Sequence, residues 1–151
     1  MDYTIRSEVG DAYLTFTPAK GTFPDEPVRP MVSASVSFSA HGVSFQDNNW
    51  HVWFWLSDVN EFVDAVTKVA HSRSRTATLA SSSSGEFSLS ISTREGHVPT
   101  LVEIRLKRHV PLSNRSNDHE VSIAFELSQW KLEPVAEECS RLLDEFDRLV
   151  A

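Results

Sequence analysis

The sequence predicts an α+β fold: a mainly antiparallel sheet of about seven or eight strands with two helices packed on one face. Three observations lead there. Apolar and polar residues alternate with period two over several short stretches, as half-buried strands require. Two longer stretches, near 57–71 and 131–149, repeat apolar residues at spacings of three and four, as helices with one buried stripe do. Both stripes need a cover, and the strands supply one. At 151 residues the chain is expected to form a single domain over 1–151. A chain of that size buries roughly 70% of its unfolded surface, so it needs no staples.

Tyr3 to Glu8 and Ala12 to Thr17 read as a first hairpin around Gly10-Asp11. Residues 18–30 read as a loop within the domain. Pro18, Pro24, Pro27 and Pro30 each remove a backbone donor, and Gly21 loosens the chain. Val32, Ala34, Val36, Phe38 and Ala40 alternate with Ser33, Ser35, Ser37 and Ser39. This gives a strand with one apolar and one hydroxyl face. His41-Gly42 breaks it, and Gln46-Asp47-Asn48-Asn49 turns the chain.

Asn49 to Ser57 then holds three of the four Trp residues, and apolar side chains fall on both of its faces. Trp53 and Trp55 point one way, and Val52, Phe54 and Leu56 the other. Such a strand is covered on both sides or shows an aromatic face to a partner. Ser57 is placed to cap a helix, with Asp58 and Glu61 in its first turn, where negative charge suits the dipole. Val59, Phe62, Val63, Val66, Val69 and Ala70 form its buried stripe.

Strands follow at Thr76 to Ser81, Glu86 to Thr93 and Val98 to Arg108. Ser82-Ser83-Ser84-Gly85 and Arg94-Glu95-Gly96-His97 separate them. Residues 109–118 read as a polar loop. Glu120 to Leu127 alternates again, with Val121, Ile123, Phe125 and Leu127 inward. The last helix runs from about Gln129 to Leu149. Pro134 belongs in its first turn, so the regular part begins near Glu133. The expected core is Phe54, Leu56, Phe62, Val66, Phe125, Leu127, Leu142 and Phe146. Phe54-Trp55-Leu56-Ser57 and Phe125-Glu126-Leu127-Ser128 also echo one another 71 residues apart. Two copies of a strands-then-helix unit would produce the echo, and so would coincidence.

Several chemistries find no support. The six histidines form no HExxH or paired helical motif, and one Cys makes no zinc cluster. No nucleophile elbow, phosphate loop or dinucleotide fingerprint is present. No catalytic residue, metal or cofactor is expected. Cys139 lies on the apolar stripe of the last helix and reads as a buried structural thiol. Asp58, Glu61 and Asp64 share a helix surface and read as a solvated face. Arg105, Lys107 and Arg108 make a basic strip with little aromatic interleaving, a poor nucleic-acid signal.

The net charge of −7 disfavours general nucleic-acid binding and suits steered association with a basic partner. It is uneven: residues 71–119 carry 4 acidic and 7 basic groups, while residues 120–151 carry 8 and 3. No stretch approaches the roughly 20 apolar residues of a membrane helix. The N-terminus lacks the pattern of a secretory signal, so a cytoplasmic location is expected.

The order of motifs resembles a known family. Asn49-Trp50 opens a strand, Leu56-Ser57-Asp58-Val59-Asn60-Glu61-Phe62 enters a helix, and Glu86-Phe87-Ser88-Leu89 forms a strand before Gly96-His97-Val98. Glu120 to Leu127 then precedes Gln129 and an amphipathic helix. This looks like the WapI-type immunity proteins and related bacterial domains of unknown function, over roughly residues 43–150. That family often has an Asp-Gln pair before the last helix, where this chain has Ser128-Gln129.

The resemblance implies a non-catalytic protein that binds and blocks a toxin from neighbouring bacteria. A pocket-bearing small-molecule-binding or enzymatic domain and a housekeeping interaction module are the rival readings. Under the immunity reading, the expected partner-binding residues are Asp47, Asp58, Glu61 and Asp64, with Glu137, Glu138, Asp144 and Glu145 on the last helix. Trp53 or Trp55 would anchor the contact if that strand face is open. A cover by the N-terminal segment is the competing arrangement.

Overall fold

The expected class holds, and among the described residues the strands number nine, divided between an antiparallel sheet of five and another of four. The structure, a computed structural model, describes residues 1–7, 10–20, 29–71, 76–83, 85–93, 100–112 and 115–150; for residues 109–112, 115–118 and 129 it describes the backbone alone. The first sheet holds β1 (Tyr3–Arg6), β2 (Tyr13–Pro18), β3 (Met31–Ala40), β4 (Val43–Gln46) and β5 (Val52–Trp55). Helix α1 (Leu56–His71) follows. The second sheet holds β6 (Thr76–Ala80), β7 (Phe87–Ser92), β8 (Thr100–Leu112) and β9 (Arg115–Leu127), and α2 (Leu132–Val150) follows a 3-10 turn over Gln129–Lys131. Each half is thus a run of strands and then a helix. The sequence echo falls at the two strand-to-helix junctions.

The long strand β3 organises the first sheet. Val32, Ala34, Val36, Phe38 and Ala40 are buried, as their alternation requires. One edge pairs with β2. The other carries β4 against Ser37–Ala40 and β5 against Met31–Ala34. β4 and β5 therefore run along the same edge, and residues 47–51 between them leave the ladder. The turn from β3 to β4 places His41 at φ 51° and Gly42 at φ 82°, the left-handed pair that a two-residue hairpin needs. β4 itself is not among the expected strands. Its four residues are mostly exposed and carry no full alternation.

The second sheet corrects another expectation. Residues 109–118, read as a loop, lie largely in β8 and β9, paired from His109↔Asp118 to Leu112↔Arg115. Backbone pairing is what the register shows there. The stretch from 94 to 97, read as a turn, lies outside the described residues, as does most of the proline-rich loop, from 21 to 28. The 82–85 turn is described except for Ser84. In it, buried Ser81 Oγ donates to the Ser83 carbonyl (2.6 Å) and accepts from Phe87 N–H (3.0 Å).

The apolar faces meet in one continuous cluster. Phe16 of β2, Phe54 of β5 and Phe87 of β7 pack edge-to-face, with centroids 5.7–6.3 Å apart. This trio joins the two sheets. A backbone bond from Ser82 N–H to the Trp53 carbonyl (2.8 Å) links them as well. Of the eight expected core residues, seven are buried. Leu56 is only half-buried against the cluster, because the chain has already turned into α1 there. Ser57 consequently lies inside the first turn rather than ahead of it. The two helices pack on each other; α1 also packs on β6, and α2 on β1, β2 and β3. Among the described residues no helix is long and apolar enough to cross a membrane.

One polar strap ties β1 to α2. Tyr3 Oη donates to Glu145 Oε2 (2.6 Å), which also accepts from Arg148 (2.7 Å). Burial, and then this bond, raises the Tyr3 pKa; the same bond, foremost, lowers that of Glu145. The depressed carboxylate stabilises the fold above its ordinary pKa, and this contribution is lost as pH falls through the lowered value. The raised phenol stabilises below its ordinary pKa, and its contribution is lost as pH rises through the raised value. Tyr3→Phe should therefore cost about 1 kcal/mol near neutrality. The gap from wild type should narrow at both extremes in urea melts run across pH.

Cys139 is buried on α2 and its thiol is pushed up to about 12, first by burial and then by Glu138. Thiol reagents should leave the native chain unmodified at about pH 8 and react fully once it is unfolded. Rapid native labelling would show that α2 opens.

Candidate partner interface

Charge in this protein is sorted by layer. α1 and α2 together carry nine carboxylates and three Lys or Arg residues, so they hold six of the seven net negative charges. The outer face of the first sheet is the opposite. Its register lays Thr15 beside Ser37, Thr17 beside Ser35 and Tyr13 beside Ser39, a nearly uncharged hydroxyl surface. Trp53 and Trp55 continue that face beside Ser33 and Met31. A polar hollow of about 620 Å³ lies against it, lined among others by Thr15, Ser37, Gln46 and His51.

The residues singled out for partner binding do not form one patch. Glu61 and Asp64 are exposed on α1 and border a shallow hollow of about 310 Å³ with Lys68 and Thr76. Asp58, one turn earlier, is half-buried. Asp47 lies apart, in the excursion between β4 and β5. There Arg108 Nη1 donates to its Oδ2 at 2.6 Å, while the same guanidinium lies 5.7 Å from the Trp50 ring. That pair ties the first sheet to β8, and it offsets the Asp47 charge locally. Arg105 is likewise paired, with Glu120 at 3.4 Å, so the basic strip is largely compensated. On α2, Glu137 and Asp144 are exposed, whereas Glu138 and Glu145 are half-buried and paired with Arg141 and Arg148.

Trp53 and Trp55 are both half-buried. The Arg29 guanidinium stacks over Trp55 at 4.1 Å, a cation–π contact that covers part of the ring. Trp130 differs from both. It stands 73% exposed in the 3-10 turn between β9 and α2, the most exposed large aromatic side chain among the described residues. No sequence signal singles it out, because a Trp among polar neighbours at a helix start reads equally well as buried.

A cleft of about 560 Å³ opens between the β1–β2 and β3–β4 turns and the ends of β8 and β9. Ala12, Leu101, Phe125 and Leu127 contribute apolar surface, and Asp11, His41 and Glu126 contribute polar groups. Ser7 Oγ donates to Asp11 Oδ1 (3.0 Å) and accepts from Ala12 N–H (3.2 Å), which fixes the β1–β2 turn at the cleft. No group of three or more metal-ligating side chains occurs among the described residues.

The described residues thus form two antiparallel sheets and two helices with an acidic helical surface. The chain belongs to the immunity protein WapI-like family, whose model matches residues 4–147. The match thus extends over β1–β3, which the sequence motifs of the resemblance did not cover. No curated protein matches the sequence. Among solved structures, the plant transcriptional regulator PBF-2 is 12% identical with a TM-score of 0.46, covering 97% of this chain and 81% of that one. WHY1 from Arabidopsis thaliana is also 12% identical, with a TM-score of 0.48 and coverage of 97% and 84%.

Proposed function

We propose that this protein binds a toxin and neutralises it by occupying its surface, with no catalytic step of its own, in the cytoplasm of the bacterial cell it protects. Membership of the immunity protein family over residues 4–147 carries this reading. The sorting of charge supports it. A toxin that cleaves nucleic acid presents a basic cleft, and the acidic helices complement such a surface. Glu61 and Asp64 lead among the expected contact residues because they are exposed, with Asp58 beside them. Asp47 contributes less, since Arg108 already neutralises it. Trp53 and Trp55 would take part from the neighbouring sheet face.

The test is co-expression with the product of the adjacent gene, taken as the candidate toxin. Cells should survive only when both are made, and the two chains should co-elute as a complex. Unrelieved toxicity together with separate elution would refute the proposal.

A further inference from the structure

The inter-sheet cleft has the chemistry of a receptor for one basic side chain. Asp11 and Glu126 bring two carboxylates to it, and among the described residues neither Lys nor Arg lines it. Ala12, Leu101 and Phe125 supply apolar walls, suited to the methylene stem that a Lys or Arg buries while its charge stays paired. Ser128 borders the same cleft.

Trp130 follows two residues later. Lys131 N–H donates to the Ser128 carbonyl (2.9 Å), so a single tight turn carries the chain from the cleft to the exposed indole. An isolated exposed apolar side chain is ordinary. An exposed Trp within one turn of an acidic cleft, at the start of an acidic helix, combines features that interface anchors share. Trp is also the best aromatic partner for a guanidinium.

We infer that Trp130 and the cleft of Asp11 and Glu126 form one contact site for a Lys- or Arg-bearing loop of a basic protein partner. The inference rests on the toxin-binding reading for the partner's identity, but not for the chemistry of the cleft. Trp130 anchors the loop and the basic side chain enters between the two carboxylates.

The first experiment needs no toxin. The full chain is titrated with acetyl-Gly-Arg-Gly-amide and with its uncharged citrulline counterpart, and backbone amide shifts are followed. The arginine peptide should give saturable shifts at Ser7, His41 and Ser128. Its affinity should fall about tenfold in the double variant D11N/E126Q. The amide oxygen introduced by D11N can still accept from Ser7, so the turn is kept. Equal responses to both peptides, or no saturable shift, would overturn the proposal.

The second experiment uses the candidate toxin, the product of the adjacent gene. W130A should bind it about 30-fold more weakly, as loss of an interface anchor does, with an unchanged unfolding midpoint. Wild-type affinity in W130A would overturn the anchor role. A wild-type chain that ignores the candidate toxin would refute the immunity reading instead, and the peptide titration then decides the cleft alone.

Discussion

Replacing Phe54 with alanine should destabilise the protein by about 3–5 kcal/mol, the cost of removing a fully buried aromatic ring. Phe54 is 0% exposed. Its ring meets Phe16 of its own sheet and Phe87 of the other, so truncation leaves a cavity at the junction between sheets. Neither neighbour can close that gap without breaking its contact with the other. A domain's whole stability is only about 5–15 kcal/mol, so the variant should melt far earlier in urea. Phe146, 1% exposed on α2, should behave similarly. Phe125, at 4%, borders the cleft and has more room to relax, so its loss should fall at the low end of the range. A loss under about 1 kcal/mol for F54A would mean that the sheets are held together elsewhere.

The elements most legible in the sequence were those with one buried face. β3 announced itself through five apolar residues alternating with four serines, and α1 and α2 through their stripes. The division into two sheets was not legible, because alternation reports which residues face inward and not which strand lies alongside. β5 pairs with β3 across a five-residue excursion. Only the finished register shows that. β4 and the outer half of the β8–β9 hairpin escaped for a related reason. Val43-Ser44-Phe45-Gln46 is too short to establish a period, and the polar run at 113–118 has no apolar face to bury. Val43–Gln46 and residues 115–118 are held by backbone pairing, which leaves no side-chain pattern to read.

The candidate interface was legible in part. The acidic character of both helices follows from composition and from which helical positions remain once the stripe is buried. Pairing does not. Asp47 and Arg108 lie 61 residues apart, and nothing local predicts that the excursion between β4 and β5 reaches β8. The same holds for Glu145, whose carboxylate is engaged by Tyr3 across almost the whole chain. Trp130 was invisible for a different reason. Exposure of an aromatic side chain depends on what fails to pack against it, and no sequence pattern records that.

Reversing Glu61 and Asp64 to lysine should slow association with the candidate toxin by about tenfold or more at low ionic strength. Each reversal adds two charges, so the pair moves the net charge from −7 to −3. Both side chains are exposed, and the change should alter stability by no more than about 0.5 kcal/mol. Exposed charges act over about 10 Å at 0.1 M salt, and over about 3 Å at 1 M. The difference in rate should therefore shrink as salt is raised, while the dissociation rate stays close to wild type. That pattern separates steering from direct contact, since loss of a buried pair would act on dissociation and persist at high salt. Stopped-flow association at two ionic strengths, with the melting curve as control, makes the distinction. Unchanged rates at both would remove this face of α1 from recognition and shift the partner's approach to α2.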